Sequence, residues 1–425
     1  MRKQIAFFIG ISVLIAVFSL AQEKNSNLIA IKGAHIIPVV GDEIENGIIL
    51  IKDGLIEAIG KDINIPDGAD VIDAAGLFAY PGMIDSYCYL GLSEIGSIQA
   101  TIDYRETGRI NPQVRAVEGL RPDSIHIPIS RSTGITAALV APSGGLIAGQ
   151  SGLIRLAGWT APEMIIKSPV AMHIEFPAIP RRGFRREARP QEEISKQIIE
   201  LKDILNNVRF YQKRKEFAKN NSLLSLPDFD EKLEFLVPVV NGELPVMISV
   251  YADNDIKAAI KFVEEEKLKA IFFGVSQGWR VAEDISKAGI PVVFGTLAST
   301  PPTWEDGYDA LYRNPSILHK AGVKIAFSSQ SASLAKDLPY NASKAAAFGL
   351  ERLEALKAVT IYPAQIFGVE SIMGSLEKGK KANIVLADSD ILELRTNIKR
   401  VFIEGKEVDL SNRYTELLEK FKKRG

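Results

Sequence analysis

The sequence has little cysteine, little histidine and almost no net charge. Its 425 residues include one Cys and four His, so no internal disulfide can form, and no Cys/His spacing suggests a zinc finger. The 51 Lys and Arg residues are balanced by 52 Asp and Glu. Without an excess of basic charge there is no electrostatic reason to expect nucleic acid or an anionic membrane as partner. These absences leave a globular protein whose expected partner is a small molecule or another protein.

The N-terminus has the pattern of an export signal. Arg2 and Lys3 precede an apolar run over residues 5–20, and small residues then lead to Ala21. This order of basic, apolar and small residues predicts a secretory signal peptide over residues 1–21. The run is short for a bilayer span, so an uncleaved anchor is the alternative. We expect an exported protein, periplasmic or extracellular, with no membrane span in the mature chain.

Both ends of the mature chain carry short β patterns. Asn46-Gly47 and Asp53-Gly54 are typical turn pairs between the N-terminal runs. Because similar runs return near the C-terminus, residues 28–80 and 375–408 are interpreted as one composite β-domain. The predicted strands are Leu28–Lys32, Ile48–Lys52, Leu55–Ile59, Ala382–Asp388 and Lys399–Glu404.

The middle of the chain, residues 81–374, alternates β-branched runs with helical patterns. This alternation favours a parallel α/β barrel. The predicted strands are Ile135–Ala141, Pro245–Tyr251, Ala270–Val275, Pro291–Gly295 and Lys324–Ser329. The predicted helices are Asp255–Glu266, Val281–Ala288 and Leu350–Val359.

An insertion at about 180–232 interrupts this alternation of strands and helices. It predicts an amphipathic helix near Gln191–Asn220, and we interpret it as a solvated insertion on the barrel. Two alternatives are that its basic run docks an anionic partner and that it is the contact surface of a structural subunit. The basic run consists of Arg181, Arg182, Arg185, Arg186 and Arg189.

Five segments of the chain carry motifs of a known family. They are Tyr80–Gly91 (YPGMIDSYCYLG), Asn111–Ala116, Gly134–Thr136, Gly144–Ser151 and Met373–Asn383. Together they resemble the metal-dependent amidohydrolase superfamily, in its imidazolonepropionase-like branch, which has Pro-Gly-Xaa-Ile-Asp-Xaa-His-Xaa-His where this chain has the first segment. The resemblance covers residues 28–408. It implies a (β/α)₈ barrel of the TIM type and a small β-sandwich built from both ends of the chain.

The same resemblance implies a metal site at the mouth of the barrel. Family members hold zinc or a similar divalent ion with two His of the first strand, a lysine on strand four, one His each on strands five and six, and an Asp on strand eight. Such an ion lowers the pKa of bound water and so generates hydroxide. In this chain those six positions fall on Tyr87, Tyr89, His173, Ser249, Gly274 and Gln330.

Five of these six residues are poor ligands for a hydrolytic metal. The phenols of Tyr87 and Tyr89 ionise near pH 10, and Gln330 cannot act as a base. We therefore expect no bound metal cofactor and interpret the chain as a pseudoenzyme, a non-catalytic homologue with a degenerate metal site. Its expected partner is a small-molecule ligand or a related amidohydrolase subunit.

An alternative is hydrolysis of C–N bonds, in non-peptide or dipeptide amides, through a non-standard site. The candidate catalytic residues are His173, Glu175 and Asp85, since a His near a carboxylate can act as an acid/base pair. The other histidines, His35, His126 and His319, are expected to be structural or exposed. Several aromatic residues could line a pocket for a small apolar or planar ligand: Tyr87, Tyr89, Tyr251, Phe273 and Trp279.

Overall fold

A computed structural model describes residues 28–177, 191–221 and 223–424. The predicted signal peptide and the arginine cluster lie outside these ranges. Within them, no helix is both long enough and apolar enough to cross a membrane.

The described residues form short strands and helices that alternate through the middle of the chain. The strands are β1 (Leu28–Ile36), β2 (Ile44–Lys52), β3 (Leu55–Gly60), β4 (Asp70–Asp73), β5 (Phe78–Pro81), β6 (Met83–Cys88), β7 (Ile135–Val140), β8 (Ile147–Gln150), β9 (Gly152–Arg155), β10 (Ile165–Lys167), β11 (Met172–Glu175), β12 (Val246–Val250), β13 (Ala270–Gly274), β14 (Val292–Phe294), β15 (Ile325–Phe327), β16 (Ile384–Ala387), β17 (Ile398–Ile403) and β18 (Lys406–Glu407). The helices are α1 (His126–Arg131), α2 (Ala161–Met164), α3 (Gln191–Lys219), α4 (Glu231–Val240), α5 (Asp253–Glu266), α6 (Ala282–Lys287), α7 (Ala310–Lys320), α8 (Leu338–Ala347), α9 (Arg352–Lys357), α10 (Ile361–Ile366) and α11 (Arg413–Lys422).

The two ends of the described chain meet in one eight-stranded sheet. Its order is β18-β17-β16-β5-β1-β2-β3, and β4 pairs with β1. Strand β5 lies parallel to β1 and antiparallel to β16, so it joins the N-terminal strands to the C-terminal ones. The predicted strands at both ends are present, whereas the domain boundaries drawn above stay a prediction.

Side chains of the C-terminal strands alternate between two hydrophobic clusters. Ile384 and Phe402 are fully buried in a cluster formed by the end strands. Val385 and Val401 are fully buried in the large cluster of the middle segment. Successive residues of a strand point to opposite faces of the sheet. The sheet therefore lies between two cores, with apolar contacts on both faces.

The middle segment is α/β with two mixed sheets. One has the order β10-β9-β7-β6 and the other β15-β14-β13-β12-β11-β8. Strands β11 to β15 are all parallel, as are β6 and β7. In contrast, β8 is antiparallel to β11, and β9 is antiparallel to β7. The glycine-rich segment that contains β8 thus forms sheet structure between the two parallel groups.

The prediction of a turn at Asn46-Gly47 is wrong, because both residues lie inside β2. Asn46 has a positive φ of 52°, and the pairing of β1 with β2 shifts register beside Gly47. A Cβ at Gly47 would lie 2.4 Å from Cδ1 of Ile36. The Asn-Gly pair therefore bends the strand and lets Ile36 pack closely against it.

The insertion contains two packed helices. The helix predicted near Gln191–Asn220 is present as α3, and it is followed by α4, which the sequence reading missed. The carboxylate of Asp230 accepts a bond from the backbone N–H of Leu233 at 3.1 Å and so caps the start of α4. Leu201, Leu205 and Val208 bury the inner face of α3. The two helices form a hairpin with its own apolar contact surface.

Candidate functional site

The residues at the six family positions come together at one edge of the middle sheets. Tyr87, His173, Ser249 and Gly274 lie near the carboxyl ends of β6, β11, β12 and β13. Parallel strands bring these ends to the same edge, which is where α/β folds place their ligands. Gln330 follows β15, and its backbone N–H donates to the carbonyl of Tyr87 at 2.9 Å. This hydrogen bond links the first and last strands of the site.

Aromatic packing occupies the centre of the site. The ring of Tyr87 stacks on Phe273 at a centroid distance of 4.1 Å, and its edge contacts with His173 and Tyr89 are at 5.5 and 5.7 Å. Its hydroxyl donates to the carbonyl of Pro142 at 3.3 Å. Tyr87 is only 2% exposed. This phenol is therefore held by neighbouring rings in a buried position.

Gly274 is adjacent to another aromatic ring. It has a φ of +94°, and a Cβ added there would lie 2.5 Å from Cε1 of Tyr251. The side chain of Gln330 hydrogen-bonds to Tyr251, and burial raises the pKa of this phenol well above its usual range. The Tyr251 ring thus fills the space that a longer side chain at position 274 would need.

His173 is buried and neutral. It is 3% exposed, and its Nε2 has no hydrogen-bond partner among the described residues. Burial lowers the pKa of this imidazole to about 3. At physiological pH it therefore offers one lone pair and one N–H, and carries no charge.

Glu175 lies two residues further along β11, next to Ser249 in the strand register. Burial raises the pKa of its carboxyl group, while a hydrogen bond from Ser249 and the charge of Arg105 act in the opposite direction. His173 and Glu175 share one face of the strand. No hydrogen bond joins these two side chains directly.

Asp85 is fully buried next to the strand-end site. One of its oxygens accepts the backbone N–H of Ser329 at 3.0 Å and that of Tyr87 at 3.3 Å, and the other accepts the hydroxyl of Ser329. Burial raises the pKa of this carboxyl to about 7 despite these bonds. The hydrogen bonds of Asp85 thus link β6 to the segment that follows β15. This is a structural role for a carboxyl group close to the site.

Tyr104 and Arg105 extend the site but were not singled out from the sequence. Tyr104 stacks on Tyr89 at 3.9 Å, and the guanidinium of Arg105 lies 5.3 Å from the centre of the Tyr104 ring. They lie in an irregular segment without hydrophobic periodicity. The adjacent aromatic and cationic residues were the only available signal.

The remaining histidines lie elsewhere. His35 contacts Glu43 at 2.8 Å on the end sheet, and His319 lies 3.5 Å from Glu354. His126, the first residue of α1, is buried, and its Nε2 lies 3.0 Å from the carbonyl of Glu94. These contacts fit the structural roles expected for them.

The donor set does not fit a hydrolytic metal centre. Zinc-type sites use several imidazole, thiolate or carboxylate ligands, whereas this edge offers one neutral imidazole, one carboxylate and several hydroxyls. In the described ranges, no three His, Cys, Asp or Glu side chains are grouped so as to hold a metal ion. Cys88 is fully buried, and burial raises the pKa of its thiol well above its usual range.

A separate surface cavity contains none of these residues. It lies between α1 and the start of α11, with Arg131 and Asn412 among its lining residues. Because it lies away from Tyr87, His173 and Gln330, its position does not change the choice of candidate site.

Comparisons with known proteins agree with the fold. Residues 275–408 match the amidohydrolase family. Amidohydrolase tasK of Hapsidospora irregularis is 25% identical over 393 residues, which cover 84% of this chain and 39% of that protein. The chain thus spans about two fifths of the length of this relative. A dihydroorotase of Acetivibrio thermocellus is 45% identical over 62 residues, 14% of each chain.

Among solved structures, the amidohydrolase from Thermotoga maritima MSB8 superposes with a TM-score of 0.81 at 26% identity. The match covers 90% of this chain and 99% of that chain. Since the likeness extends through both the end sheet and the middle sheets, it is not confined to a common substructure. With the family match over residues 275–408, this likeness supports a relationship of the chain to the amidohydrolase superfamily.

Proposed function

We propose that this chain is an exported amidohydrolase-fold protein whose metal centre has degenerated and whose strand-end site binds a ligand without hydrolysing it. The motif resemblance supports the imidazolonepropionase-like branch. The hydrogen bond from Gln330 to Tyr87 supports a barrel in which β6 and β15 are neighbours. A small molecule or a related amidohydrolase subunit is the proposed partner.

The observation that carries this proposal is the packing at the family's metal positions. Tyr87 is fixed between Phe273 and its own hydrogen bond to Pro142, and the ring of Tyr251 occupies the space beside Gly274. A metal ligand at either position would have to displace a packed ring. Even changes in residues that only support a metal ligand cost about 10–100-fold in affinity, so replacement of several ligands removes the site.

The chemistry of the site favours a small, uncharged and largely planar ligand. Aromatic rings supply apolar area, and hydroxyl, amide and carboxyl groups supply a few polar anchors, the usual composition of a small-molecule pocket. The Nε2 of His173 has no partner and can bond one polar atom of the ligand. Glu175 and the hydroxyl of Ser249 provide the next contact along the strands.

Elemental analysis of the purified chain tests this proposal. The protein is isolated without chelator, with and without zinc or manganese in the growth medium. We expect less than about 0.1 equivalent of metal per chain in both samples. One or more tightly held equivalents would contradict the proposal, and loss of that metal in the His173→Ala variant but not in His319→Ala would then locate it.

Hydrolysis of C–N bonds through a non-standard site is the second candidate function. The unpaired Nε2 of His173, on the same strand face as Glu175, favours it. Glu175, whose pKa is raised by burial, would accept a proton from water and return it to the leaving nitrogen, while the neutral imidazole of His173 would hydrogen-bond the water. Assays with N-acyl amino acids, dipeptides and cyclic imides test this second function. It predicts hydrolysis that is lost in His173→Ala and retained in His319→Ala.

A further inference from the structure

The outer face of α3 exposes large apolar side chains to solvent. Ile199 is 56% exposed, Phe210 63% and Phe217 69%. The segment after the helix exposes four more: Leu223, Leu224, Leu226 and Phe229, between 50% and 91%. Single exposed apolar residues are ordinary, but several large ones aligned along one helix face point to an interaction surface.

These residues form one straight stripe along the helix. Ile199, Phe210 and Phe217 are separated by 11 and 7 residues, and at 100° per residue they point within about 20° of one another. Leu201, Leu205 and Val208 bury the opposite side of α3. The stripe is about 27 Å long at 1.5 Å per residue. The helix therefore has an apolar inner face, which packs on its own chain, and an apolar outer stripe.

The polar residues within the stripe have complementary charges. Asp203 and Lys213 both lie on this outer face, within about 40° of the stripe axis, and both are exposed. Neither residue forms an ion pair with another residue of the part of the chain that the structure describes. Other charges of α3 hold the helix on its own chain, as Lys202 pairs with Glu265 at 2.5 Å and Arg209 with Glu266 at 2.6 Å.

We infer that the outer face of α3 is a homodimer interface, in which the α3 helices of two copies of this chain pack antiparallel about a two-fold axis near position 208. In that register, any two facing residues have numbers that add up to 416. Ile199 then faces the partner's Phe217, and Asp203 lies level with the partner's Lys213. The two-fold axis repeats each contact.

The residue pattern favours a second copy over other occupants. The register pairs apolar with apolar residues at both ends of the stripe and acid with base between them. It also places Asn206 beside the partner's Phe210. A lipid surface would gain nothing from the acidic Asp203 within the stripe. The stripe is self-complementary, which a symmetric interface requires.

Disulfide trapping tests the register. The Ile199→Cys/Phe217→Cys double variant brings a cysteine on one chain opposite one on the other, and we expect a covalent dimer under mild oxidation. The two sites lie about 27 Å apart within one helix, too far for an internal bond. The controls are the single variants Ile199→Cys and Phe217→Cys, each of whose cysteines lies about 27 Å from its own copy along the facing helices. Equal trapping of the double and single variants, or none of any, would overturn the register.

Sedimentation equilibrium tests the interface itself. We expect the unmodified chain to dimerise and Phe210→Ser/Phe217→Ser to raise the dissociation constant at least about tenfold. Asp203→Lys and Lys213→Asp should each weaken the dimer several-fold, and their combination should restore it to within about twofold. Leu394→Ser, at an apolar side chain that is 72% exposed elsewhere, is the matched control.

Two results would refute the inference. One is an unmodified chain that remains monomeric at about 100 µM, well above the dissociation constants of specific interfaces. The other is a dimer whose affinity the stripe variants leave unchanged. Thermal melts accompany each variant, and because all the altered side chains face solvent, we expect the unfolding midpoints to stay close to that of the unmodified chain.

Discussion

At the residue scale, the contact between Gly274 and Tyr251 determines which side chains the site can accept. Gly274→Ala would place a Cβ 2.5 Å from the ring in a backbone conformation with a φ of +94°. We expect a loss of about 2–4 kcal/mol in the free energy of unfolding, from backbone strain and ring displacement together. Chemical denaturation of the unmodified chain and of the Gly274→Ala variant measures this loss.

Gly379→Ala separates these two causes. Gly379 has a similar φ of +87°, but a Cβ there would meet nothing within 4 Å. The control should lose only the strain component, about 1 kcal/mol. Equal losses at both positions would show that the Tyr251 ring moves freely and does not define the site.

A second prediction concerns the buried carboxyl of Asp85. Its pKa is about 7 in the folded protein against 3.8 for the free group. Between these two pH values the folded state therefore binds more protons at this carboxyl than the unfolded state does. The free energy of unfolding should therefore decrease as the pH rises from about 4 to about 7 and level off above that. The full effect cannot exceed about 4 kcal/mol.

Comparison with Asp85→Asn isolates this titration. The variant loses an acceptor for Ser329, so its overall stability will be lower, but the amide does not titrate. The difference in unfolding free energy between the unmodified chain and the variant, measured from pH 4.5 to 8, should shrink as the pH rises. A difference that is constant with pH would mean that Asp85 ionises normally in the folded state.

At the element scale, regular hydrophobic patterns predicted ten of the 18 described strands but only four of the 11 described helices. The apolar runs that became β12 and β13 and the period of α5 were read to within two residues of each end. Strand β8 was missed because it lies in the glycine-rich run Gly144–Ser151, which lacks the β-branched pattern of the predicted strands. The Asn46-Gly47 pair was misread because a bulge and a turn use the same residues.

The hairpin of α3 and α4 yields a prediction at this scale. Leu205 is 2% exposed on the inner face of α3, so Leu205→Ala should cost about 2–5 kcal/mol through lost burial and a cavity. Hydrogen exchange should show faster opening of α3 and α4 than of β12. The same substitution at the exposed Leu394 should cost no more than about 0.5 kcal/mol. Loss of protection spread evenly over the chain would mean that the hairpin does not open separately.

At the scale of the whole molecule, the sequence predicted which strand ends would meet but not how their side chains pack. The family motifs predicted that Tyr87, His173 and Gln330 share one edge, and Tyr87 contacts His173 at 5.5 Å and accepts the backbone N–H of Gln330. Stacking of Tyr104 on Tyr89 and the position of the Tyr251 ring depend on rotamers and loop paths. Such contacts join residues distant in sequence and leave no periodic signal, so no sequence pattern could have predicted them.

The sheet built from both chain ends gives the last prediction. Phe402 is fully buried in the cluster of the end strands, whereas Val401 beside it belongs to the core of the middle segment. Strand β17 thus couples the two cores, and the described chain should unfold as one cooperative unit. Phe402→Ala should cost about 3–5 kcal/mol.

Two probes report on this coupling. All three tryptophans, Trp159, Trp279 and Trp304, lie in the middle segment, so their fluorescence monitors only that part of the molecule, while far-UV circular dichroism monitors all of it. Coincident transitions are the test of two-state unfolding. Because the cores share a strand, Phe402→Ala should shift both transitions by the same denaturant concentration. A fluorescence transition that stays in place while the dichroism transition moves would show that the end sheet unfolds independently and that the two-faced packing of β17 does not link the cores.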